Sequence, residues 1–386
     1  MNQFPLIVTG ACGFIGSQFV ENLLSTSDQK LIVLDKLTYA GSLLTLNHAL
    51  DVAAKRRGVS LEEIKKRIEF VEGDIADRKL VNELVQARRP QAIVNFAAES
   101  HVDRSIESAA EFVETNVMGV FSLLDAARRF FESLDVSAGS ATSPGGSTSG
   151  TAGGQGSLSA SEREWLKSNF RFLQVSTDEV FGQLGETGAF TETTPYAPSS
   201  PYSASKACGD HLVRAWYHTY KLPIVVTNCS NNYGPRQYPE KLIPHMINCA
   251  LHGKPLPVYG NGRNVRDWIH VADHARGVET ALRQGQVGES YCFGGRSERR
   301  NIDVVEAICS ILDEVRPRKS GGSYREQITF VEDRKGHDWR YAIDDSKAEN
   351  ELGFRREFDS FEKGLRATVN WYLENQAWVT AVLEEK

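Results

Sequence analysis

Cysteine is sparse in this chain of 386 residues, and its six cysteines form no pattern that predicts a disulfide framework. No two of them stand in a C-x-x-C pair. Scattered cysteines of this kind are typical of reduced thiols, so we expect a cytoplasmic protein. The cysteines are Cys12, Cys208, Cys229, Cys249, Cys292 and Cys309.

Long apolar runs and an excess of basic residues are also absent. No run is long enough to span a bilayer, and the N-terminus enters a strand pattern without a signal peptide, so we expect no membrane partner. The formal net charge is -6, and no basic face is evident, which argues against a nucleic-acid partner. His270 and His274 stand four apart without a third His or a nearby Cys, so we predict packing or hydrogen bonding there and no metal.

Short β-rich runs alternate with amphipathic helical segments over the first hundred residues. The runs are 6–9, 31–34, 68–71 and 92–95, and similar runs follow at 172–176 and 223–227. This alternation predicts an α/β fold, a Rossmann-type doubly wound parallel sheet with a smaller C-terminal α/β lobe. We place the first domain at 1–235 and the lobe mainly at 236–386, with some chain returning to the first domain.

One segment interrupts this alternation. Residues 137–161 are almost wholly Gly, Ser, Thr and Ala. Such a composition buries too little apolar surface to offset its ordering entropy, so we predict a disordered surface insertion.

The first strand runs directly into a glycine-rich turn, T-G-A-C-G-F-I-G. Gly10, Gly13 and Gly16 allow a tight turn and close backbone approach, and the helix start can hold a pyrophosphate. Asp35 ends the second strand, where an acid accepts a hydrogen bond from a ribose hydroxyl and disfavours a 2′-phosphate. The pattern predicts a dinucleotide site, with NAD favoured over NADP.

A tyrosine and a lysine follow one helical turn apart in S-S-P-Y-S-A-S-K. Ser200 can cap a helix and Pro201 suits its first turn, which places Tyr202 and Lys206 on one face. A neighbouring ammonium and an oxidised nicotinamide would favour the phenolate, so we predict that Tyr202 acts as a base. If this motif stood alone, an ordinary exposed Tyr and Lys on a helix would be the simpler interpretation. Together with the dinucleotide pattern, a catalytic Tyr-Lys pair is the favoured interpretation.

These motifs together resemble the extended short-chain dehydrogenase/reductase superfamily. Within it, Asp35 to Gly41, Ala97 to Ser105, Ser176 to Val180 and Thr227 to Pro235 are similar to the dTDP-glucose 4,6-dehydratase family. The similarity runs nearly end to end. It implies an NAD-dependent lyase of deoxysugar biosynthesis with a nucleotide-sugar substrate, and it implies a homodimer formed through helices near 109–131 and 202–220. In family terms the first domain binds NAD and the lobe binds the nucleotide sugar.

The resemblance assigns roles by position. Catalytic residues would be Thr177, Asp178, Glu179, Tyr202 and Lys206. The cofactor would be bound by Gly10, Gly13, Phe14, Ile15, Gly16, Asp35, Lys36, Thr38, Asp74, Ile75, Ala98, Thr115, Tyr202, Lys206 and Asn232. The substrate would be bound by Ser100, Thr177, Asn231, Lys241, Leu242, Tyr259, Arg266, Asn301, Asp333 and His337. Arg236-Gln237-Tyr238 departs from the residues that the family usually carries before Pro-Glu-Lys.

Two adjacent acids, Asp178 and Glu179, stand where a buried strand would end. In the family, oxidation at C4 of the sugar acidifies C5, water leaves across C5 and C6, and the hydride returns to C6. The resemblance gives Glu179 the C5 proton and Asp178 the protonation of the leaving hydroxyl. Adjacent strand residues point to opposite faces, so we predict that the backbone leaves the strand at Thr177 or Asp178. We also predict that Asp178 is protonated while Glu179 is ionised.

Two alternatives stay open at this stage. One is a sister enzyme of nucleotide sugars: a 4-epimerase, a decarboxylase, or a dehydratase acting on another nucleotide sugar. The Asp178–Glu179 pair discriminates, because an epimerase needs no acid for a leaving hydroxyl. The other is a catalytically silent dinucleotide-binding regulator, which the presence of Tyr202, Lys206 and both acids disfavours.

Overall fold

The computed structural model describes residues 4–135, 157–333 and 336–385. The strands are β1 (Leu6–Thr9), β2 (Leu31–Asp35), β3 (Ile68–Glu72), β4 (Ala92–Asn95), β5 (Arg171–Thr177), β6 (Ile224–Cys229), β7 (Asn231–Tyr233), β8 (Leu256–Tyr259), β9 (Val265–His270), β10 (Ser290–Phe293), β11 (Glu298–Arg300) and β12 (Ile328–Val331). Seven of them form the main sheet, in the order β10-β6-β5-β4-β1-β2-β3, in which every neighbouring pair is parallel. All six strand-like runs of the sequence are strands, and the predicted doubly wound sheet is confirmed.

Helices cover both faces of this sheet, as a parallel sheet requires. They are α1 (Phe14–Thr26), α2 (Leu43–Arg57), α3 (Leu61–Lys65), α4 (Arg78–Arg88), α5 (Val102–Glu107), α6 (Ala110–Val113), α7 (Val120–Ser133), α8 (Ala160–Asn169), α9 (Pro201–Tyr220), α10 (Leu242–Leu251), α11 (Val271–Gln284), α12 (Asn301–Val315), α13 (Ser346–Leu352), α14 (Phe361–Glu374) and α15 (Gln376–Glu384). A π-helical stretch, Glu114–Gly119, joins α6 to α7, and 3₁₀ turns lie at Asp178–Phe181 and Tyr324–Gln327.

The alternation of side-chain direction along the strands separates two hydrophobic cores, one on each face of the sheet. Val8 and Val33 lie in the core under α1, α2 and α11, whereas Ile7 and Ile32 lie in the core under α4, α7 and α9. Successive side chains of a strand point to opposite faces, so continuous aliphatic runs are what a sheet buried on both sides needs. Full burial of one such side chain stabilises the fold by about 1.5–3 kcal/mol.

The strand order creates a crevice at the centre of the sheet. The chain passes from β1 outward to β2 and β3 and then returns to β4 on the other side of β1. In open α/β sheets, ligands bind at the carboxyl ends of the strands where the order reverses. The glycine turn after β1 and the residues after β4 meet at this point.

The later part of the chain forms a second core and two small sheets, β11-β9-β7 and β12-β8. Helices α10, α12, α14 and α15 bury this core, whose side chains include Trp268, Val305 and Leu365. Strand β10 pairs with β6 in the large sheet, so part of the later chain packs in the first sheet. The division into domains at residue 235 stays a prediction.

The predicted disordered insertion has the wrong C-terminal end. Residues 136–156 lie outside the described part of the chain, but residues 157–161 are described, and Ala160 begins α8. Ser159 caps this helix in a capping box: its hydroxyl accepts from Glu162 N at 3.2 Å, and Glu162 Oε2 accepts from Ser159 N at 2.8 Å. A local cap signal ends the low-complexity segment earlier than composition indicates.

Candidate active site

A cavity of about 320 Å³ opens at the carboxyl edge of the sheet, between β1 and β4. It falls in the usual size range of small-molecule sites. It is lined by every predicted cofactor residue and every predicted catalytic residue, together with four predicted substrate residues: Ser100, Thr177, Asn231 and Lys241. Side chains spread over more than two hundred residues of sequence therefore share one pocket.

The glycine turn forms part of the wall of this cavity. Gly10 has φ +68°, and a Cβ there would lie 2.6 Å from Ala97 N. A Cβ on Gly16 would lie 2.3 Å from Gly10 O. Gly13 caps α1 without a side-chain hydrogen bond, and the first N–H groups of a helix have no partner within it. This cradle of backbone and helix start fits the pyrophosphate of a dinucleotide.

Asp35 ties the glycine turn to the end of β2. Its Oδ2 accepts from Cys12 N at 2.8 Å, and its Oδ1 accepts from Leu37 N at 2.9 Å. Lys36 forms an ion pair with Asp74, with 2.6 Å between Nζ and Oδ2. These predicted cofactor residues thus lie together along one wall, where the ribose and base of a dinucleotide would follow the pyrophosphate.

Helix α9 presents Tyr202 and Lys206 to the same cavity. The predicted cap is confirmed: Ser200 Oγ accepts from Ser203 N at 3.1 Å, and Pro201 is the first helical residue. Lys206 is buried, and its Nζ donates to Val175 O at 2.8 Å. Burial lowers the pKa of Lys206, an effect that the charge of Asp210 opposes.

The surroundings of Tyr202 within the chain favour its neutral form. Burial, and next the charge of Glu179, raise the pKa of Tyr202 well above its ordinary value. Lys206 directs its ammonium to a backbone carbonyl, so the ammonium alone does not make the phenolate favourable. That an oxidised nicotinamide and Lys206 together lower the Tyr202 pKa stays a prediction.

The two adjacent acids face the cavity because the strand stops beneath them. Strand β5 ends at Thr177, and Asp178 starts a 3₁₀ turn, which confirms the predicted non-strand conformation. The Thr177 hydroxyl accepts from Glu179 N at 3.2 Å and lies 3.3 Å from Asp178 Oδ1. This single side chain fixes the turn that brings both carboxyl groups to one pocket.

Asp178 is the more enclosed of the two acids, at 2% exposure. Burial, and then the negative charges of Glu179 and Asp267, raise its pKa well above the ordinary value. Its Oδ2 has no hydrogen-bond partner among the described residues. A protonated carboxyl with a free oxygen at the pocket is suited to donate a proton to a bound molecule.

Six predicted substrate residues do not line this cavity: Leu242, Tyr259, Arg266, Asn301, Asp333 and His337. Three of them form a separate group, in which His337 Nδ1 lies 2.6 Å from Asp333 Oδ1 and the rings of Tyr259 and His337 are 6.4 Å apart. Their proposed roles stay predictions.

Arg266 is buried and not a surface ion-pair residue. Its guanidinium donates to Val265 O at 2.8 Å and to Asp338 O at 3.0 Å, and it lies over the Tyr341 ring at 4.3 Å. Its charge lowers the pKa of Asp178, against the larger effect of burial. Arg266 therefore does not line the cavity, but its charge acts on Asp178 from within the protein.

Sequence reasoning missed several residues of the site. Glu99, Cys229, Gln237 and Tyr238 also line the cavity. Asp210 lies beneath it, fully buried, and accepts from Ser176 Oγ at 2.6 Å and from Tyr196 OH at 2.9 Å. The sequence could have indicated Asp210, because it follows Lys206 by four residues and so lies on the same face of the helix.

His270 and His274 are structural. His270 caps α11 and stacks on Phe358, while His274 Nδ1 lies 3.0 Å from Asn232 Oδ1.

Within residues 4–135, 157–333 and 336–385, no cluster of three or more His, Cys, Asp and Glu side chains could hold a metal ion. In the same ranges, no helix combines the length and apolar character needed to cross a membrane.

The model of the NAD dependent epimerase/dehydratase family matches residues 6–294. The chain belongs to that family. A dTDP-glucose 4,6-dehydratase from Xanthomonas campestris pv. campestris is 51% identical over 378 residues, which is 98% of this chain and 95% of the relative. This family membership accounts for the glycine turn, the Tyr-Lys pair and the doubly wound sheet together.

Two solved structures of the family extend the comparison. A dTDP-glucose 4,6-dehydratase from Bacillus anthracis, solved in complex with NAD, has a TM-score of 0.77 at 39% identity and covers 98% of this chain and 99% of its own. Another from Streptomyces venezuelae, solved with NAD bound, has a TM-score of 0.78 at 39% identity and covers 98% of this chain and 100% of its own. The predicted resemblance is confirmed over nearly the whole length.

Proposed function

We infer that the protein is a hydro-lyase that uses NAD to convert dTDP-glucose to dTDP-4-keto-6-deoxyglucose. One observation carries this inference: a single cavity runs from the glycine turn to Tyr202, Lys206 and the acid pair Asp178–Glu179. The 51% identical dTDP-glucose 4,6-dehydratase supports it. So do the two dTDP-glucose 4,6-dehydratase structures that were solved with NAD bound. Bound NAD would supply the reversible hydride chemistry that links C4 and C6 of the sugar, and the residues of the glycine turn and of the β2 end would hold it.

The chain's own residues supply the proton movements. Tyr202 takes the proton of the C4 hydroxyl, and Lys206 keeps a positive charge beneath it. Glu179 takes the C5 proton, and Asp178, whose pKa is raised by burial, protonates the C6 hydroxyl, which leaves as water. When hydride reaches C6, Glu179 returns a proton to C5, and the proton that Tyr202 took balances the one that Asp178 gave. These roles are proposals supported by the burial and position of each group.

Other residues of the pocket hold the substrate in this proposal. Lys241 lines the cavity and its Nζ donates to Ser100 O at 3.1 Å; it is proposed to bind a diphosphate. The separate group of Tyr259, Asp333 and His337 is proposed to contact the nucleoside end. Arg266 is proposed to tune the acid pair as well as to bind substrate.

The acid pair disfavours a 4-epimerase. A 4-epimerase needs hydride transfer and a Tyr-Lys pair, and it has no hydroxyl to expel. A proton donor with a raised pKa and an unpaired oxygen, next to a second carboxyl group, is what an elimination needs. Identity at 51% to a dTDP-glucose 4,6-dehydratase favours the thymidine sugar over other nucleotide sugars.

The decisive experiment uses the purified protein without added NAD. It is incubated separately with dTDP-glucose, UDP-glucose and GDP-mannose, and the products are weighed by mass spectrometry. Loss of one water from the thymidine sugar alone is the expected result. A mass-neutral inversion at C4 would instead identify an epimerase, and no reaction even with NAD supplied would identify a dinucleotide-binding regulator.

The assembly proposal is a homodimer in the cytoplasm. Three apolar side chains of the α5–α7 region are exposed in the single chain: Ile106 at 41%, Val113 at 51% and Met118 at 40%. Tyr220, at the end of α9, is 42% exposed. Exposed apolar residues on neighbouring helices are suited to a self-complementary interface between two copies.

A further inference from the structure

A buried ion pair joins the helix of the glycine turn to the loop that follows β7. Arg236 Nη2 lies 2.6 Å from Glu21 Oε2 on α1, and the two side chains are 1% and 3% exposed. The same nitrogen donates to Gln18 Oε1 at 2.7 Å. Charge-assisted hydrogen bonds of this kind are strong because water does not compete with them.

The other terminal nitrogen of the guanidinium is also engaged, whereas Nε has no hydrogen-bond partner among the described residues. Arg236 Nη1 lies 3.2 Å from His48 Nδ1. A guanidinium only donates, so His48 Nδ1 must accept and its proton sits on the other ring nitrogen. Burial, and then the charge of Arg236, lower the pKa of His48, in keeping with a neutral ring. Three side chains from α1 and α2 thus hold one side chain of the loop.

The backbone of Arg236 is held in an uncommon conformation. Its φ is +68°, in the left-handed region that non-glycine residues rarely adopt. Such a conformation persists when the surrounding contacts determine it, and the buried ion pair is the contact available here. Arg236 is also part of the segment that departs from the residues usual in the family.

The residues that follow Arg236 form part of the active-site wall. Gln237, Tyr238 and Lys241 line the cavity. Gln237 Nε2 donates to Asn232 O at 3.0 Å, and the Tyr238 ring packs edge-on against Tyr39 with centroids 5.9 Å apart. The position of this wall therefore depends on where the chain leaves Arg236.

We propose that Arg236 is a positioning residue for nucleotide-sugar binding, anchored by Glu21. The anchor fixes residues 237–241 relative to the cofactor helix, so that Lys241 and Tyr238 meet the substrate in one geometry. This inference rests on the proposed function and adds to it the residue pair that sets the substrate wall. Because the anchor touches neither hydride nor proton transfer, its loss affects binding and not the chemical step.

The test compares Arg236→Gln and Glu21→Gln with Arg56→Gln. Arg56 is the matched control, since its Nη1 lies 2.9 Å from the other Glu21 oxygen but its side chain is 54% exposed. We expect KM for dTDP-glucose to rise about tenfold in the first two variants, the equivalent of one hydrogen bond, with kcat within about twofold. Arg56→Gln should leave both values within about twofold of wild type. The double variant should be no worse than either single one, because the pair acts as one unit.

A second readout separates this anchor from the proposed function. Hydrogen exchange of peptides covering residues 236–241 should be faster in Arg236→Gln than in wild type, whatever the substrate. If Arg236→Gln does not fold, Arg236→Lys takes its place, with a smaller rise in KM and faster exchange expected. Wild-type KM and wild-type exchange in a folded variant would overturn the anchor, as would a fall in kcat with KM unchanged. Faster exchange in an enzyme that dehydrates no nucleotide sugar would retain the anchor and refute the proposed function.

Discussion

Replacing Asp178 with Asn should make the protein more stable and far less active. In the folded protein the pKa of Asp178 is raised by burial and by Glu179, so the carboxyl is protonated at a pH where the unfolded chain is ionised. Asn resembles a protonated carboxyl in shape and carries no proton to give. Its amide oxygen can keep the contact with the Thr177 hydroxyl.

The stability change follows from proton linkage. Above the unfolded pKa of about 3.9, the unfolded state loses its proton while the folded state keeps it, so stability falls as the pH rises toward the folded pKa. The Asp178→Asn substitution removes this loss of stability, because Asn does not titrate. One unit of separation between the folded and unfolded pKa corresponds to about 1.4 kcal/mol, so we expect a gain of at least that size near neutral pH, or about 2 °C or more in Tm for a chain of this size. The gain should shrink as the pH falls toward about 4, where both states of the wild type are protonated.

The activity change follows from the missing proton. Loss of a general acid lowers kcat by about 10²- to 10⁴-fold, and the step before it, hydride transfer, should still occur. Reduced nicotinamide should therefore accumulate in the variant, seen by its absorbance, while water release measured by mass spectrometry is blocked. Melting curves at several pH values measure the stability change on the same samples.

Two results would refute this reasoning. Turnover within a few-fold of wild type would exclude Asp178 as the proton donor. A variant less stable than wild type near neutral pH would mean that the buried carboxyl is not protonated. Asp359→Asn is the matched control, because this carboxylate is exposed before α14 and its loss should change neither property.

Three further changes test the other parts of the site. Glu179→Gln should form reduced nicotinamide and release no water, and normal turnover would contradict its assignment as the C5 base. Gly16→Ala should weaken NAD binding at least about tenfold, since its Cβ would lie 2.3 Å from Gly10 O, whereas Gly185→Ala, with no atom within 4 Å, should bind normally. Val113→Glu should convert a dimer to a monomer in light scattering, because the side chain is 51% exposed on the proposed interface; an unchanged mass would place the interface elsewhere.

Local pattern predicted the elements that carry the cofactor. Runs such as 6–9 and 92–95 match β1 and β4, since a strand buried on both faces needs uninterrupted aliphatic residues. The start of α9 was predictable too, because a Ser cap and a following Pro satisfy the helix end without help from the rest of the chain.

The pKa shifts and the contacts between residues far apart in the chain could not be predicted from the sequence. The burial that raises the pKa of Tyr202 comes from the whole pocket, and no spacing of Tyr and Lys reveals it. The resemblance placed Arg266 among the substrate-binding residues, yet its guanidinium donates to carbonyls more than seventy residues later. The contact between Arg236 and Glu21 spans 215 positions and follows no periodicity.

By itself the sequence determined the α/β class, the glycine turn and the adjacency of two acids, because strand periodicity, helix caps and backbone freedom act over a few residues. Only the tertiary structure decided which groups share a pocket and which of their pKa values burial shifts. Desolvation depends on everything packed around a group, and for Asp178 those neighbours come from distant parts of the chain, Arg266 and Asp267 among them.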